Sequence, residues 1–190
     1  MGFAQVRRLH GFGNALKPGI EGMEAAWHGC YINDNDLTAS MAKTLIRHAV
    51  TADFDTLLEI DQASFAGGVA YDAAELSYFM NRNGAETIVL EEDSEIVAFL
   101  IFEVHRTGRS GTIVTLDVRQ THRRKGYATQ LLNHAEDILS RYGVETYDLQ
   151  VDTSNRAAIN FYKQRGFRTV RTLRHYYANG NDAFLMMKEL

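Results

Sequence analysis

Residues 112–142 read TIVTLDVRQTHRRKGYATQLLNHAEDILSRY, and this stretch decides the fold. Its first part, 112–118, is rich in β-forming residues and predicts a strand. After the loop the apolar spacing changes from two to 3.6, which predicts a long amphipathic helix. The residues that keep this helical spacing are Ala128, Leu131, Leu132, Ala135, Ile138, Leu139 and Tyr142. Gly143 is placed to end the helix.

Working outward, residues 147–151 predict the next strand, so the unit 112–151 should form a right-handed parallel crossover. Residues 87–90 and 96–104 are also β-rich, and the polar stretch 91–95 between them predicts an antiparallel hairpin. The sequence therefore predicts an α/β fold: a mixed, mostly antiparallel sheet with a central parallel strand pair, flanked by helices.

Three further helices and two final strands complete the prediction. Before the hairpin, one segment places apolar residues on a single helical face, namely Phe54, Leu57, Leu58 and Phe65. Asp72 is the predicted N-cap of the next helix, with Glu75 as its capping-box partner. A short helix over 155–165 is closed by Gly166.

The first 44 residues differ from the rest of the chain. They contain scattered glycines and the only proline, Pro18, and keep neither a helical nor a strand period. We predict an N-terminal extension of unknown role over 1–44, followed by one domain over 45–190.

Bulk composition excludes several classes of function. A formal charge of −4 and a pI near 6.0 give no global basic field, so no nucleic-acid partner is expected. No apolar run approaches the roughly 18 residues of a membrane span, so no membrane partner is expected and the cytoplasm is the expected location. Cys30 is the single cysteine and the histidines lack ligand spacing, so no metal is predicted. A monomer or homodimer is expected.

The basic loop 123–128, RRKGYA, is the sharpest chemical feature of the sequence. It lies between the predicted strand and the start of the long helix. A glycine there lets the backbone approach an anion closely, and the first N–H groups of the helix point at that anion. The loop lacks the endings of a P-loop and of a dinucleotide-binding turn, so both of those readings are set aside.

The loop resembles the acetyl-CoA signature of the GNAT superfamily of N-acetyltransferases, whose defined positions are filled by Arg123, Gly126 and Ala128. Residues 155–167, NRAAINFYKQRGF, are similar to the second half of that family's pattern. The resemblance implies the GNAT fold, acetyl-CoA as co-substrate and direct attack of an amine on the thioester. The cofactor-binding residues that it implies are Leu116, Asp117, Val118, Arg123, Arg124, Lys125, Gly126, Tyr127, Ala128, Thr129, Asn155 and Tyr162.

Within this resemblance, Tyr162 is the expected general acid. A leaving CoA thiolate with a pKa of about 8.5 would take a proton from a phenol of pKa about 10 at a small uphill cost. The alternative is that Tyr162 packs beside Phe161 as a core aromatic. The backbone N–H of Val118, at the strand end, is the candidate donor to the developing oxyanion.

The tail 175–183, HYYANGNDA, resembles an element of protein N-terminal acetyltransferases, closest to the ribosomal-protein-alanine branch. That resemblance implies that Tyr176 and Tyr177 bind substrate, and Phe65 is a third candidate. The expected acceptor is the N-terminal α-amine of a protein or peptide. Two alternatives stay open: a small amine or amino acid as acceptor, and a non-catalytic acyl-CoA-binding regulator.

Two departures from the branch concern the acceptor. Where its members usually have a glutamate base, this chain has Gln150, which cannot take a proton at neutral pH. Asp152 projects to the same side by strand alternation and is the candidate replacement base, with an exposed structural role as the alternative. The loop 64–71 contains Gly67 and Gly68 in place of a groove-shaping Pro-Trp, so specificity is not transferred across it.

Overall fold

The computed structural model describes residues 4–5, 43–65, 69–105 and 109–190. Its strands are β1 (Ala4–Gln5), β2 (Thr44–His48), β3 (Ala85–Glu92), β4 (Glu95–His105), β5 (Ser110–Val118), β6 (Thr146–Asp152), β7 (Arg168–Leu173) and β8 (Ala183–Glu189). Its helices are α1 (Phe54–Ser64), α2 (Ala73–Met80), α3 (Tyr127–Arg141) and α4 (Arg156–Gln164). The four helices and strands β3 to β6 were predicted from the sequence to within a few residues, and β7 and β8 are the two predicted final strands.

The sheet follows the order β2-β3-β4-β5-β6-β8-β7, with β1 paired to β5 off this path. Neighbouring strands are antiparallel except β5 and β6, which are parallel. The α3 helix makes the crossover between those two strands, as the change of period predicts. The mixed, mostly antiparallel sheet with one central parallel pair is confirmed.

The parallel pair is short, and this opens a gap in the sheet. Pairing between β5 and β6 covers Ser110 to Thr112 on β5, although β5 continues to Val118. Beyond Thr112 the edge of β5 that faces β6 is therefore open to other partners. Ala4 and Gln5 use part of it, since β1 pairs antiparallel with Leu116 and Thr115. We call this gap between the ends of β5 and β6 the splay.

Apolar side chains cover both faces of the sheet. One cluster packs α3 and α4 against the sheet around Leu116, Leu131, Leu149 and Tyr162. The other packs α1 and α2 against the opposite face around Leu57, Leu76 and Phe99. The splay therefore lies between two layers of helices, and residues on β5 and β6 alternate between an α3/α4 side and an α1/α2 side.

Local signals read from the sequence hold in the structure. The Glu75 N–H donates to Asp72 at 2.8 Å and the Asp72 N–H donates to Glu75 at 3.0 Å, which is the predicted capping box. Within the described ranges, no helix is long and apolar enough to cross a membrane. The expectations for residues 1–44 fall almost entirely outside the described ranges, as do Gly67 and Gly68.

Candidate active site

The loop before α3 forms a cradle of backbone at the helix N-terminus. Gly126 has φ +86°, a left-handed conformation that glycine adopts without strain, and a Cβ placed there would meet nothing within 4 Å. No side chain of the described residues caps α3 at this position. The first N–H groups of the helix therefore face a cleft of about 250 Å³, lined by Val118, Phe161 and residues 122–124 and 126–129.

Two of the three basic residues in the loop are engaged elsewhere. Arg123 turns back to donate from Nε to the Val118 carbonyl at 3.1 Å, with a second nitrogen 3.5 Å from Ser64 Oγ. Lys125 Nζ lies 2.9 Å from Glu92 at the end of β3. Burial and the hydrogen bond to Glu92 raise the pKa of Tyr127 to about 12. Arg124 is the remaining basic residue of the loop, and it is exposed. Backbone N–H groups therefore supply most of the anion-binding capacity of this loop.

This arrangement fits the diphosphate of acetyl-CoA. An uncapped helix N-terminus with a left-handed glycine in front of it offers converging N–H donors and the positive end of the helix dipole. Because the cleft continues past Val118 to Phe161 on α4, a bound chain could run from the loop toward the splay. Asn155 and Thr129 have other contacts: Asn155 Oδ1 caps α4 through the Ala158 N–H at 3.1 Å, and Thr129 Oγ1 accepts from Arg165 at 2.6 Å.

Tyr162 lies on α4, next in sequence to Phe161 of the cleft lining. Its side chain is 0% exposed, and its ring packs edge-on against Phe161 and Phe167 at centroid distances of 5.2 and 5.3 Å. No hydrogen-bond partner within the described residues reaches its hydroxyl. Burial, with the charge of Asp117 adding to it, raises the pKa of the Tyr162 phenol well above 10. The phenol is therefore a protonated donor, and full proton transfer to a thiolate costs more than the sequence suggests.

The backbone N–H of Val118 points into the splay. The N–H of the next residue, Arg119, donates to Val97 on β4 at 2.8 Å. Successive N–H groups of a strand point to opposite edges, so the Val118 N–H is directed toward the β6 side. This is the orientation that an oxyanion donor on β5 requires.

Asp117 brings a buried carboxyl to the α1/α2 side of the splay. It is 0% exposed, and its Oδ2 accepts from Thr115 at 2.7 Å. Burial raises the pKa of Asp117 well above 3.8, and the nearby carboxylate of Asp61 raises it further, against the hydrogen bonds from Thr115 and Ser64. Asp61 itself accepts from the Tyr71 N–H at 2.7 Å. From the sequence, Asp117 was predicted as a cofactor contact, and its pairing with Asp61 was not predicted.

The residues predicted to bind the acceptor come together beside β6. Phe65, Tyr176 and Tyr177 belong to one apolar cluster with Val69 and Ala183. The Tyr176 hydroxyl donates to Oε1 of Gln150 at 3.3 Å, which connects this cluster to the position of the usual base. Burial raises the pKa of Tyr177 above 10, so this phenol also stays protonated.

Asp152, the candidate replacement base, lies at the end of β6, where both its oxygens serve the following turns. Oδ1 accepts from the Ser154 N–H at 2.7 Å and from Ser154 Oγ at 2.6 Å. Oδ2 accepts from Asn181 at 2.7 Å. These bonds tie the start of α4 to the loop before β8, so Asp152 has a structural task whatever else it does.

Comparison with known proteins agrees with this geometry. The model of the acetyltransferase (GNAT) family matches residues 40–167, well over half of the chain. The chain belongs to the GNAT family. It is similar to an N-alpha-acetyltransferase of Sulfurisphaera tokodaii, at 31% identity over 76% of this chain and 92% of that protein.

Among solved structures, this GNAT protein is similar to the ribosomal-protein-S18-alanine N-acetyltransferase of Escherichia coli. The TM-score is 0.70 at 27% identity, covering 77% of this chain and 94% of that one. Ard1 of Thermoplasma volcanium, at 23% identity and a TM-score of 0.70, shares the fold. The resemblance read from the two sequence motifs is confirmed: the protein is an acetyltransferase, and acetyl-CoA is its acetyl donor.

A set of polar residues on the α1/α2 side of this GNAT domain was not predicted from the sequence. Asp148 lies two residues before Gln150 on β6 and accepts from its side-chain amide at 3.1 Å. Strand alternation places Asp152 on the same side of β6 as Gln150, and it places Asp148, two residues before Gln150, on that side as well. The signal was therefore present in the sequence, but Thr112, which donates to Asp148 from β5, lies 36 residues away and forms no motif with it.

Proposed function

We propose that this GNAT protein acetylates the N-terminal α-amine of a protein or peptide, using acetyl-CoA. The observation that carries the proposal is the convergence of Phe65, Tyr176 and Tyr177 beside Gln150, on the side of the splay opposite to α3 and α4. A mixed apolar and hydroxyl surface of this kind suits a short peptide, whose backbone needs donors and whose first side chains need apolar contact. The names of the most similar relatives support the same acceptor class.

In this proposal acetyl-CoA supplies the acetyl thioester, and the protein supplies position and protons. The backbone cradle at Gly126 holds the phosphates, and the cleft past Val118 directs the remaining chain to the splay. The Val118 N–H stabilises the negative charge that develops on the thioester oxygen. Tyr162, protonated because burial raises its pKa, donates to the departing sulfur.

An α-amine suits this site better than a lysine side chain. At pH 7 an α-amine of pKa about 7.8 is about 14% neutral, whereas a lysine amine of pKa about 10.4 is about 0.04% neutral. Gln150 occupies the position of the usual base and takes no proton, so the roughly 300-fold larger neutral fraction favours the α-amine. We also assign the reaction to the cytoplasm, as the sequence predicts.

Thiol release from acetyl-CoA tests the proposal. The full chain is mixed with short peptides that differ in their first residues, with the same peptides blocked at the N-terminus, and with free amino acids and polyamines. Release is expected with the free peptides and not with their blocked forms. Release with small amines alone would replace the acceptor class, and tight acetyl-CoA binding without release in any mixture would point to a non-catalytic regulator.

A further inference from the structure

A continuous chain of hydrogen bonds crosses the α1/α2 side of the parallel strand pair. His105 Nε2 lies 2.9 Å from Thr112 Oγ1, and Thr112 Oγ1 lies 3.2 Å from Asp148 Oδ1. The Gln150 amide nitrogen lies 3.1 Å from the same Asp148 oxygen. At the far end, the Tyr176 hydroxyl lies 3.3 Å from Gln150 Oε1. This series of hydrogen bonds joins the predicted peptide site at Tyr176 to the carboxyl of Asp148, which was not predicted from the sequence.

The direction of each bond can be worked out from donor chemistry. The Thr112 hydroxyl and the Gln150 amide nitrogen both donate to Oδ1 of Asp148. The Thr112 hydrogen is then used, so His105 must donate its Nε2–H to Thr112. The Gln150 amide is likewise fixed, with its nitrogen toward Asp148 and its oxygen toward Tyr176. Two donors therefore converge on Oδ1 of Asp148, which holds this carboxyl group in a defined position.

The position of Asp148 along β6 also places it next to the splay. Its register partner on β5 is Thr112, the last pair before the strands separate, so Asp148 marks the inner end of the splay. Its partner on β8 is Met187, which brings no charge. The side chain is partly buried and shares its face of β6 with Gln150. One water molecule can bridge a carboxylate at this place to an amine that lies beside Gln150.

We propose that Asp148, held by Thr112 and connected to Gln150, accepts the proton of the acceptor amine through a bridging water. This inference rests on the proposed function and deepens it. The ammonium proton passes to the water, the water passes a proton to Asp148, and the nitrogen lone pair forms the bond to the acetyl carbon. The carbon–sulfur bond breaks, Tyr162 gives its proton to the sulfur, and the second proton that the nitrogen loses as the amide forms returns through water to the Tyr162 phenolate. Gln150 stays neutral throughout and accepts a hydrogen bond from the amine.

Asp148→Asn is the first variant, because it keeps the size of the side chain and removes its basicity. At pH 7 we expect kcat/KM for the acceptor to fall at least about tenfold, since the step loses its base. The deficit should shrink as pH rises past the amine pKa of about 7.8, because the free amine then needs no base. The dissociation constant of acetyl-CoA should not change.

A rescue separates this role from a structural one. In the double variant Asp148→Asn, Gln150→Glu, a carboxylate returns two residues along the same face of β6. Turnover at pH 7 should recover at least several-fold over Asp148→Asn alone. Thr112→Val, which removes one of the two donors to Asp148, should give a smaller loss with the same recovery at high pH. Asp137→Asn, an exposed carboxyl on α3, is the matched control and should leave kcat/KM within about twofold of the wild type.

The results distinguish this inference from the proposed function. The series is run with whichever amine the wild type acetylates, so a failure of the peptide proposal does not prevent the test of Asp148. Activity of Asp148→Asn equal to that of the wild type would overturn the inference. So would an equal loss at every pH without rescue by Glu at position 150, because that pattern belongs to a structural role. A pH-dependent loss in Asp152→Asn instead would move the base to the other end of β6.

Discussion

The two sides of the splay are built in different ways. Most of the cofactor side is one continuous piece of chain, formed by the β5 end, the loop and the start of α3, and its principal donors are backbone N–H groups. The acceptor side takes single side chains from separate elements, among them Phe65 after α1, Gln150 on β6 and Tyr176 before β8. A site made of backbone groups depends on a local conformation, so a short sequence motif predicts it. A site made of side chains from separate elements forms only when the fold brings those elements together.

The largest effect is expected from Tyr162→Phe, at the point where the two sides meet. Removal of the phenol should lower kcat at least about tenfold, or about 1.4 kcal/mol of transition-state stabilisation. Acetyl-CoA affinity should remain as in the wild type, because the hydroxyl has no hydrogen-bond partner in the described residues. Steady-state kinetics and calorimetry measure the two quantities.

Tyr147→Phe is the matched control for this change. Tyr147 is another buried tyrosine, and it also packs against Phe167, but its hydroxyl donates to Glu136 away from the splay. This variant should lose stability and keep kcat within about twofold. Equal kcat values in the two variants would show that Tyr162 packs in the core and is not the acid.

A smaller effect, confined to the cofactor side, is expected from Gly126→Ala. Alanine in a left-handed conformation costs about 1–2 kcal/mol, so the loop should relax and its N–H groups should lose their alignment. We expect acetyl-CoA to bind about fivefold more weakly, a loss of about 1 kcal/mol, with no change in the KM of the acceptor.

Gly143→Ala provides the comparison, since Gly143 has φ +73° after α3 and lies outside the cleft. Both variants should unfold at lower temperature, and Gly126→Ala alone should weaken acetyl-CoA binding. Weaker acetyl-CoA binding in both would mean that the effect comes from general loss of stability rather than from the cradle.

Tyr176→Phe tests the acceptor side and should have a milder effect. The loss of one hydrogen bond, here to Gln150 Oε1, is worth about 0.5–1.5 kcal/mol. We expect the peptide KM to rise about threefold while acetyl-CoA affinity stays constant. In Tyr142→Phe, which loses a hydrogen bond to Glu86 at the exposed end of α3, the peptide KM should not change.

The subtlest effect concerns the pH dependence of stability. The folded protein raises the pKa of Asp117 above its ordinary value, so the folded state holds a proton that the unfolded state has lost. Stability therefore falls as pH rises from about 3.9, the ordinary pKa of aspartate, toward the raised value. Asp117→Asn should remove this part of the pH dependence.

Urea unfolding of wild type and Asp117→Asn at pH 5 and pH 8 measures this difference. The wild type should lose more stability than the variant between the two values. Parallel behaviour of the two proteins would mean that Asp117 is ionised in the folded state, and the carboxyl pair with Asp61 would then have to be balanced by Arg123.

The contrast between the two sides also explains how far the sequence could be read. The change of period after Val118, the glycine at 126 and the capping box at Asp72 are local, so the fold and the place of the glycine loop before α3 were predicted correctly. The ion pair of Lys125 with Glu92 was not predicted, because Glu92 lies 33 residues away at the end of another strand. Asp148 was missed for the same reason, since Thr112 reaches it only through the pairing of β5 and β6.

The pairing of β1 with β5 bears on how any affinity for this splay is measured. A backbone N–H on this edge of β5 donates to one strand partner at a time, and Ala4–Gln5 is paired with Leu116 and Thr115 there. A ligand that pairs with the same edge must exchange with this segment. Its apparent dissociation constant is then the intrinsic constant divided by the fraction of molecules in which the segment is detached. Removal of Ala4–Gln5 would therefore change the apparent dissociation constant of such a ligand.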